Sequence, residues 1–264
     1  MKKFELTTET ITNAIGKKLF RIKALVEFEN VKAGELGGYV EKEGNISQDD
    51  NAWVYGDAWV YGDAKVYGNA EVSGNAEVYG DARVSGDAKV SGGVRVSGNA
   101  EVYGNAWVYG NARLSGNAEV YGNARLSGNA RLSGNARVSG NAEVYGNAWA
   151  SGNARLSGNA EVYGDARVSG DARLSGNARL SGNARVSGNT DYALVQGFGT
   201  EFRCTTFYRD KNNKIMVNCG CFHGDLEEFR KQVKETRSGK IAKEYLMIAD
   251  LMEYHFTSED SSNE

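Results

Sequence analysis

The sequence predicts a mainly β chain whose middle, Asn51–Gly188, is a solenoid of stacked six-residue units. Three observations predict it. From Asn51 the chain reads NAWVYG, DAWVYG, DAKVYG, NAEVSG, NAEVYG and continues to NARVSG at 183–188, giving 23 consecutive hexads without an insertion. Within each hexad an Ala and a Val or Leu are separated by one variable residue, as in Ala52-Trp53-Val54. Side chains alternate across a strand, so the Ala and the aliphatic residue share one face, while the variable residue and the following Tyr or Ser share the other. Each hexad then passes through Gly followed by Asn or Asp, residues that tolerate left-handed backbone angles and turn the chain.

A four-residue strand cannot bury an Ala–Val face alone, but stacked coils can. A flat array of hairpins is the competing arrangement. It fits poorly with a turn at every hexad and no change in the inward pattern, and it leaves edges to protect. Two hexads depart at a buried position: GVRVSG at 93–98, and NAWASG at 147–152, where Ala150 replaces Val or Leu.

The run Val-Tyr-Gly-Asn-Ala-Glu resembles the hexapeptide repeat of left-handed β-helix proteins, with an aliphatic residue and a small residue four places later. The resemblance covers 138 residues. It implies a left-handed, triangular parallel β-helix with three hexads, or 18 residues, per coil. With a degenerate hexad at Asn45–Asp50, about eight coils follow, and at ~4.8 Å per coil the prism is ~38 Å long.

The 18-residue register sorts the outward residues into columns. Second hexads give Trp59, Glu77, Arg95, Arg113, Arg131, Trp149, Arg167 and Arg185. First hexads give Trp53, Glu71, Lys89, Trp107, Arg125, Glu143, Glu161 and Arg179. Third hexads give Lys65, Arg83, Glu101, Glu119, Arg137, Arg155 and Arg173. The column of Arg95, Arg113, Arg131, Arg167 and Arg185 has two readings. One is a stripe for an anion or an acidic partner. The other is a solvated β-surface with Arg methylenes lying over the backbone. Stacked like charges cost energy with no evident structural return.

Trp107 and Trp149 point outward and read as interface residues, since exposed aromatics are enriched where partners bury a surface. Trp53 and Trp59, in the first coil, read equally well as interface residues or as contacts with an N-terminal cap. Arg is always followed by Leu/Val-Ser, and Glu by Val-Tyr in five of six cases. That pairing is consistent with lateral packing and equally with duplication of two parental hexads. Stacked corner Asn residues predict side-chain ladders, which Asp at six corners would break locally.

An open solenoid end needs a cap. Residues 1–44 have that character: Leu19–Val26 reads as strand, and Val31–Val40 as turns leading into the first coil. VKAGELGGYV followed by NISQDDNAWVYG resembles a phage- and prophage-type group of hexapeptide proteins, variously described as hypothetical, polymer-forming or acyltransferase-like. Ile46-Ser47-Gln48 matches the aliphatic-Ser-Gln segment common before their first coil. The resemblance implies a fold and a phage or prophage origin, and no activity.

After the repeats, residues 189–264 read as a small α+β (ββαα) unit. Glu201–Tyr208 and Lys214–Gly220 form strands around a turn at Asp210–Asn213. Asp225 caps a helix to about Thr236, a second helix runs from Lys240 to Tyr254, and the polar tail Thr257–Glu264 frays. Thr205–Tyr208 and Cys219–Gly224 again resemble the C-terminal unit of that group.

Composition narrows the function. The formal charge of −3 is spread evenly, 13 basic against 12 acidic residues within the repeats, which speaks against a general nucleic-acid binder and against a DNA mimic. Hexapeptide acyltransferases use a His base and gamma-type carbonic anhydrases three His on zinc. Residues 51–188 contain no His, so an enzyme is not expected and no cofactor is assigned. The hexads also lack the flat Thr array of ice-binding β-helices. The sharpest metal candidate is Cys204, Cys219, Cys221 and His223. A turn at Lys211–Asn212 puts Cys204 opposite Cys219, so three thiols and an imidazole could bind zinc; the alternatives are buried small hydrophobes or reversible disulfide chemistry. Three Cys, an odd number, and no signal-like apolar run after Met1 suit the cytoplasm of a bacterial host. No run of 18 apolar residues is present, so no membrane partner is expected. The reading is a non-enzymatic binding or scaffold protein that presents a face or its C-terminal unit to a host macromolecule, as an inhibitor or adaptor. The alternatives are a self-assembling homo-oligomer, for which the resemblance favours a trimer, and a sponge for small anionic ligands.

Overall fold

The computed structural model describes residues 1–199 and 202–257. Its body is a parallel β-solenoid of 23 two-residue strands, β4 (Trp53–Val54) to β26 (Arg185–Val186). They stack every third strand into three sheets of 11, 8 and 7 strands, the first of which includes the N-terminal strands. The register is the 18-residue one: Arg95 pairs with Arg113, Trp107 with Arg125, and Glu101 with Glu119.

The inward residues explain the stack. Every repeat Ala and every Val or Leu between them is essentially fully buried, forming one continuous core. Burying one Val or Leu contributes about 1.5–3 kcal/mol, and each coil adds three. The backbone follows suit. Arg113 N–H donates to Ala130 O at 2.9 Å, Ser115 N–H to Leu132 O at 3.0 Å, and Asn117 N–H to Gly134 O at 2.7 Å. The corners need glycine for two reasons. At Gly110, φ is +74°, and a Cβ would lie 2.9 Å from the backbone N of Gly128 in the next coil.

Corner ladders form as the sequence suggests. Asn99, Asn117, Asn135 and Asn153 each donate to the next residue of their column, at 2.9–3.0 Å, and the run ends at Asp171. Asp87 and Asp165 end two others. A carboxylate accepts but has no proton to pass on, so the aspartates terminate ladders.

At the N-terminal end, β1 (Phe4–Thr12) and β2 (Lys18–Ala24) form an antiparallel pair, and β2 pairs with β3 (Leu36–Val40). Strand β3 then lies parallel to β5 (Trp59–Val60), with Tyr39 opposite Trp59, so the cap continues the 11-stranded sheet. Ile46 bridges Val66, placing the degenerate hexad on the third face. Strand β1 was not read from the sequence, and the stretch read as turns contains β3.

The C-terminal unit has two strands more than the expected ββαα arrangement. An antiparallel sheet of β27 (Tyr192–Phe198), β28 (Arg203–Arg209), β29 (Ile215–Cys219) and β30 (Phe222–Asp225) precedes α1 (Leu226–Thr236) and α2 (Gly239–Thr257). Asp225 caps α1, accepting from Glu228 N–H at 2.9 Å. Phe207, Val217, Phe229, Tyr245 and Ala249 form its separate core. The other face of the sheet covers the last coils, with Tyr208 joining the solenoid core. Helix α2 runs past the expected end at Tyr254 to include Thr257, the first residue of the expected frayed tail; the rest of that tail, 258–264, lies outside the described residues, as does Glu201.

Candidate functional site

The outward columns differ in how their charges are used. On the 8-stranded sheet Lys89 pairs with Glu71 (3.1 Å), Arg125 with Glu143 (3.5 Å) and Arg179 with Glu161 (3.1 Å). On the 7-stranded sheet Arg83 pairs with Glu101 and Arg137 with Glu119. Among the repeat cations of the 11-stranded sheet only Arg95 is paired, to Glu77 at 3.4 Å. Among the described residues Arg113, Arg131, Arg167 and Arg185 have no ion pair. Arg155 and Arg173 on the 7-stranded sheet also have none, but no aromatic ring supports them.

Trp149 supplies that support on the 11-stranded sheet. It sits between Arg131 and Arg167 in the stack, and their guanidiniums lie 5.3 and 5.0 Å from its ring centroid. Cation–π contacts of this kind contribute about 0.5–1 kcal/mol each at exposed sites and oppose the repulsion of stacked charges. Arg185 is pinned differently, with Nη1 donating to Asp165 O and Ala184 O, both at 3.1 Å. Beside these residues runs a groove of about 400 Å3 that the C-terminal unit completes with Lys211. Lys211 N–H donates to Asn183 O at 3.0 Å, and the neighbouring Asp210 bridges Ala184.

Trp107 lies on a different sheet, 48 % exposed, next to Tyr109 at a depression of about 440 Å3. Arg125 lies 5.8 Å from its ring. It is therefore not part of the Arg column. Trp53 and Trp59 belong to the cap. Trp53 is fully buried, with Phe4 and Phe28 edge-on at 6.0 and 5.5 Å, and Trp59 packs beside Leu19, Tyr39 and Tyr61. The even choice at these two positions falls to the cap contact.

Tyrosine contacts run between successive coils. Tyr61–Tyr79, Tyr103–Tyr121 and Tyr145–Tyr163 stack with centroids 5.0 Å apart, and Tyr61 Oη donates to Glu77 at 3.4 Å. Burial first, then the neighbouring carboxylates Glu77 and Glu161, push Tyr61 and Tyr145 up to about 12.

The cysteine cluster is not formed as expected. Strand β28 pairs with β29 so that Thr205, not Cys204, lies opposite Cys219. Arg209 pairs with Ile215, leaving a five-residue loop, and this one-residue slip sends Cys204 to the other face of the sheet. Cys204 faces the solenoid, where burial raises its thiol pKa. Cys219 faces the helices and accepts from Thr205 Oγ1 at 3.1 Å, while Cys221 is exposed in the next turn. Among the described residues no three His, Cys, Asp or Glu side chains are gathered to hold a metal ion.

His223 is used elsewhere. Its Nδ1 lies 2.8 Å from Asn218 Oδ1 and 3.2 Å from Ser181 Oγ. Ser181 Oγ is also 3.0 Å from Tyr208 Oη, and Asn218 Nδ2 donates to Arg179 O at 2.9 Å. A nucleophile–base–orienter chain places the hydroxyl and the orienting group on opposite ring nitrogens. Here both meet the same nitrogen, which makes the group a polar joint between solenoid and sheet. Nothing in the sequence marked Ser181 as part of it, because its hexad is like the others.

A family model described as YdcK Beta solenoid repeat matches residues 90–110, 130–146, 136–152, 160–176 and 178–190. Together with the coil geometry this makes the chain a β-helix repeat protein. No curated protein matches it.

Proposed function

We propose that this chain is a non-enzymatic binding scaffold whose rigid prism presents the 11-stranded face to an anionic partner. The observation that carries the reading is the run Arg113–Arg131–Trp149–Arg167–Arg185. It is a column of cations without ion pairs, two of them against an indole, on repeats where six of the nine other cations pair with glutamate. A stack of like charges opposes folding unless something offsets it, and a ligand of opposite sign would do so. The phage-type setting implied by the N-terminal resemblance, in the cytoplasm of a bacterial host, belongs to this reading, with a host macromolecule as partner.

The test is affinity capture from bacterial lysate with nuclease present, comparing the full chain with the triple variant Arg113→Glu, Arg131→Glu, Arg167→Glu. The expected result is a stoichiometric partner retained by the parent and lost by a variant that remains folded by circular dichroism. Equal capture by both would sink the reading.

A second reading, self-association along the prism, is favoured by Trp107 and Tyr109, exposed side by side on the 8-stranded sheet. A trimer in light scattering that falls to monomer on Trp107→Ser would support it. A parent chain that is monomeric at tens of micromolar would count against it.

A further inference from the structure

We infer that the last coils and the C-terminal sheet together form a pocket for a small ligand carrying two or more phosphoryl groups. The ligand would be held by Arg131, Arg167, Arg185 and Lys211. The inference names a ligand class for the face proposed above and rests on that reading.

The groove of about 400 Å3 falls within the size of small-molecule sites. Four cations line it against one carboxylate, Asp165, which already accepts from Asn147 Nδ2 at 3.0 Å. The Arg131 and Arg167 guanidiniums lie 5.3 and 5.0 Å from the Trp149 ring centroid, which holds them at the groove. Among the described residues their N–H donors have no hydrogen-bond or ion-pair partner, and a guanidinium grips a phosphate or carboxylate with two such bonds. Three coils separate Arg131 from Arg185, about 14 Å at ~4.8 Å per coil. A single phosphate cannot engage cations spread over that length, so the ligand needs two or more phosphoryl groups set out along the groove. Phosphoryl groups carry up to two charges each, so they match the excess of cations more fully than carboxylates of the same size.

Lys211 distinguishes this site from the rest of the column. It comes from the hairpin between β28 and β29, and its turn is fixed by Asp210 Oδ1 accepting from Asn212 N–H at 2.8 Å and Lys214 N–H at 2.9 Å. The C-terminal unit thus contributes a binding group as well as covering the end.

Inorganic polyphosphate and nucleotides share the required chemistry. Calorimetric titration of the full chain with tripolyphosphate, ATP, adenosine and citrate separates them. One equivalent of tripolyphosphate or ATP should bind, more weakly as salt is raised, with adenosine silent and citrate much weaker. Tighter binding of ATP assigns a nucleotide, and tighter binding of tripolyphosphate an inorganic chain. Lys211→Ala and Arg167→Ala should each weaken binding about tenfold, the scale of one charge-assisted hydrogen bond. Arg155→Ala, on the 7-stranded sheet, should leave it unchanged. Absence of binding by both phosphate compounds, citrate binding as tightly, or an Arg155→Ala loss equal to that of Lys211→Ala would each overturn the inference. Arg113 lies outside the groove. Arg113→Glu that loses the captured partner, in a chain whose parent binds no phosphate compound, leaves the binding-face reading standing and removes the pocket.

Discussion

The two ends of the prism are closed by different physics. The N-terminal cap extends a sheet of the solenoid itself, through Tyr39 and Val40 on Trp59 and Val60, and seals the first coil with Phe4 and Phe28 on Trp53. Only two glycines fit there: a Cβ on Gly38 would lie 2.5 Å from Ala58 O, and one on Gly37 2.6 Å from Val54 O. The C-terminal unit has its own core and meets the last coils through a polar layer of Thr206, Tyr208, Asn218 and His223, with Ser181 on the solenoid side. One end is continuous with the repeat's packing. The other has a core of its own and is joined by hydrogen bonds together with Tyr208, Tyr192 and Met216 packed on the solenoid core, and it is at this joint that a side chain from outside the repeats lines the cationic groove.

The contrast can be broken by substitution. Trp53→Ala should be the most damaging, about 3–5 kcal/mol, because it empties the first coil and strips two aromatic neighbours. Urea unfolding reads it, and a loss under about 1 kcal/mol would mean the cap is not integral. In the central coils, Gly110→Ala forces a side chain into a positive φ and against the Gly128 backbone. About 2–3 kcal/mol is expected, seen in the same experiment. Asn218→Ala should cost about 1–2 kcal/mol. It should raise hydrogen exchange in Tyr192–Phe198 and Arg203–Arg209 while leaving Phe4–Thr12 protected; uniform loosening of both ends would contradict a local joint.

Alkali should act where the tyrosines stack, at the first coil beside the cap and again further along the prism. Tyr61 and Tyr145 hold their protons to about 12 in the fold, against about 10 in an unfolded chain. Their contribution to stability is therefore whole below about pH 10 and is lost as the pH rises towards 12. The melting temperature should fall across that window, and ultraviolet titration should show late-ionising tyrosines. The smallest effect belongs to Arg131→Gln, expected within about 0.5 kcal/mol of the parent. A larger loss would show that the column serves the fold.

Most of the solenoid was legible because its signals are local. Alternation places Ala and Val inward, Gly-Asn turns the chain, and an uninterrupted six-residue period makes the columns a matter of counting. The ends were less legible because their decisive contacts are distant in sequence. Trp53 occupies an outward position and is buried only because Phe4 and Phe28 arrive from the cap. Phe222–Asp225 is too short, and Tyr192–Phe198 with its Gln196-Gly197 break too mixed, to announce themselves as strands without their partners. The turn at Asp210–Asn213 was placed correctly, yet one extra loop residue moved Cys204 across the sheet. The Arg–Trp–Arg stack could be read from spacing, whereas Lys211 beside it could not, since that depends on how two bodies meet.

The absence of any break in the hexad count fixes how such a chain can change length. Eighteen added residues insert a whole coil and lengthen the column without turning it. Six added residues after Gly140 would satisfy the core equally well, yet every later side chain would rotate by one face of the prism. Trp149, Arg167 and Arg185 would then leave the line of Arg131, and the cap with Lys211 would swing round with them. Stability would tolerate gain in steps of six, while a face shared by residues from several coils survives only steps of eighteen.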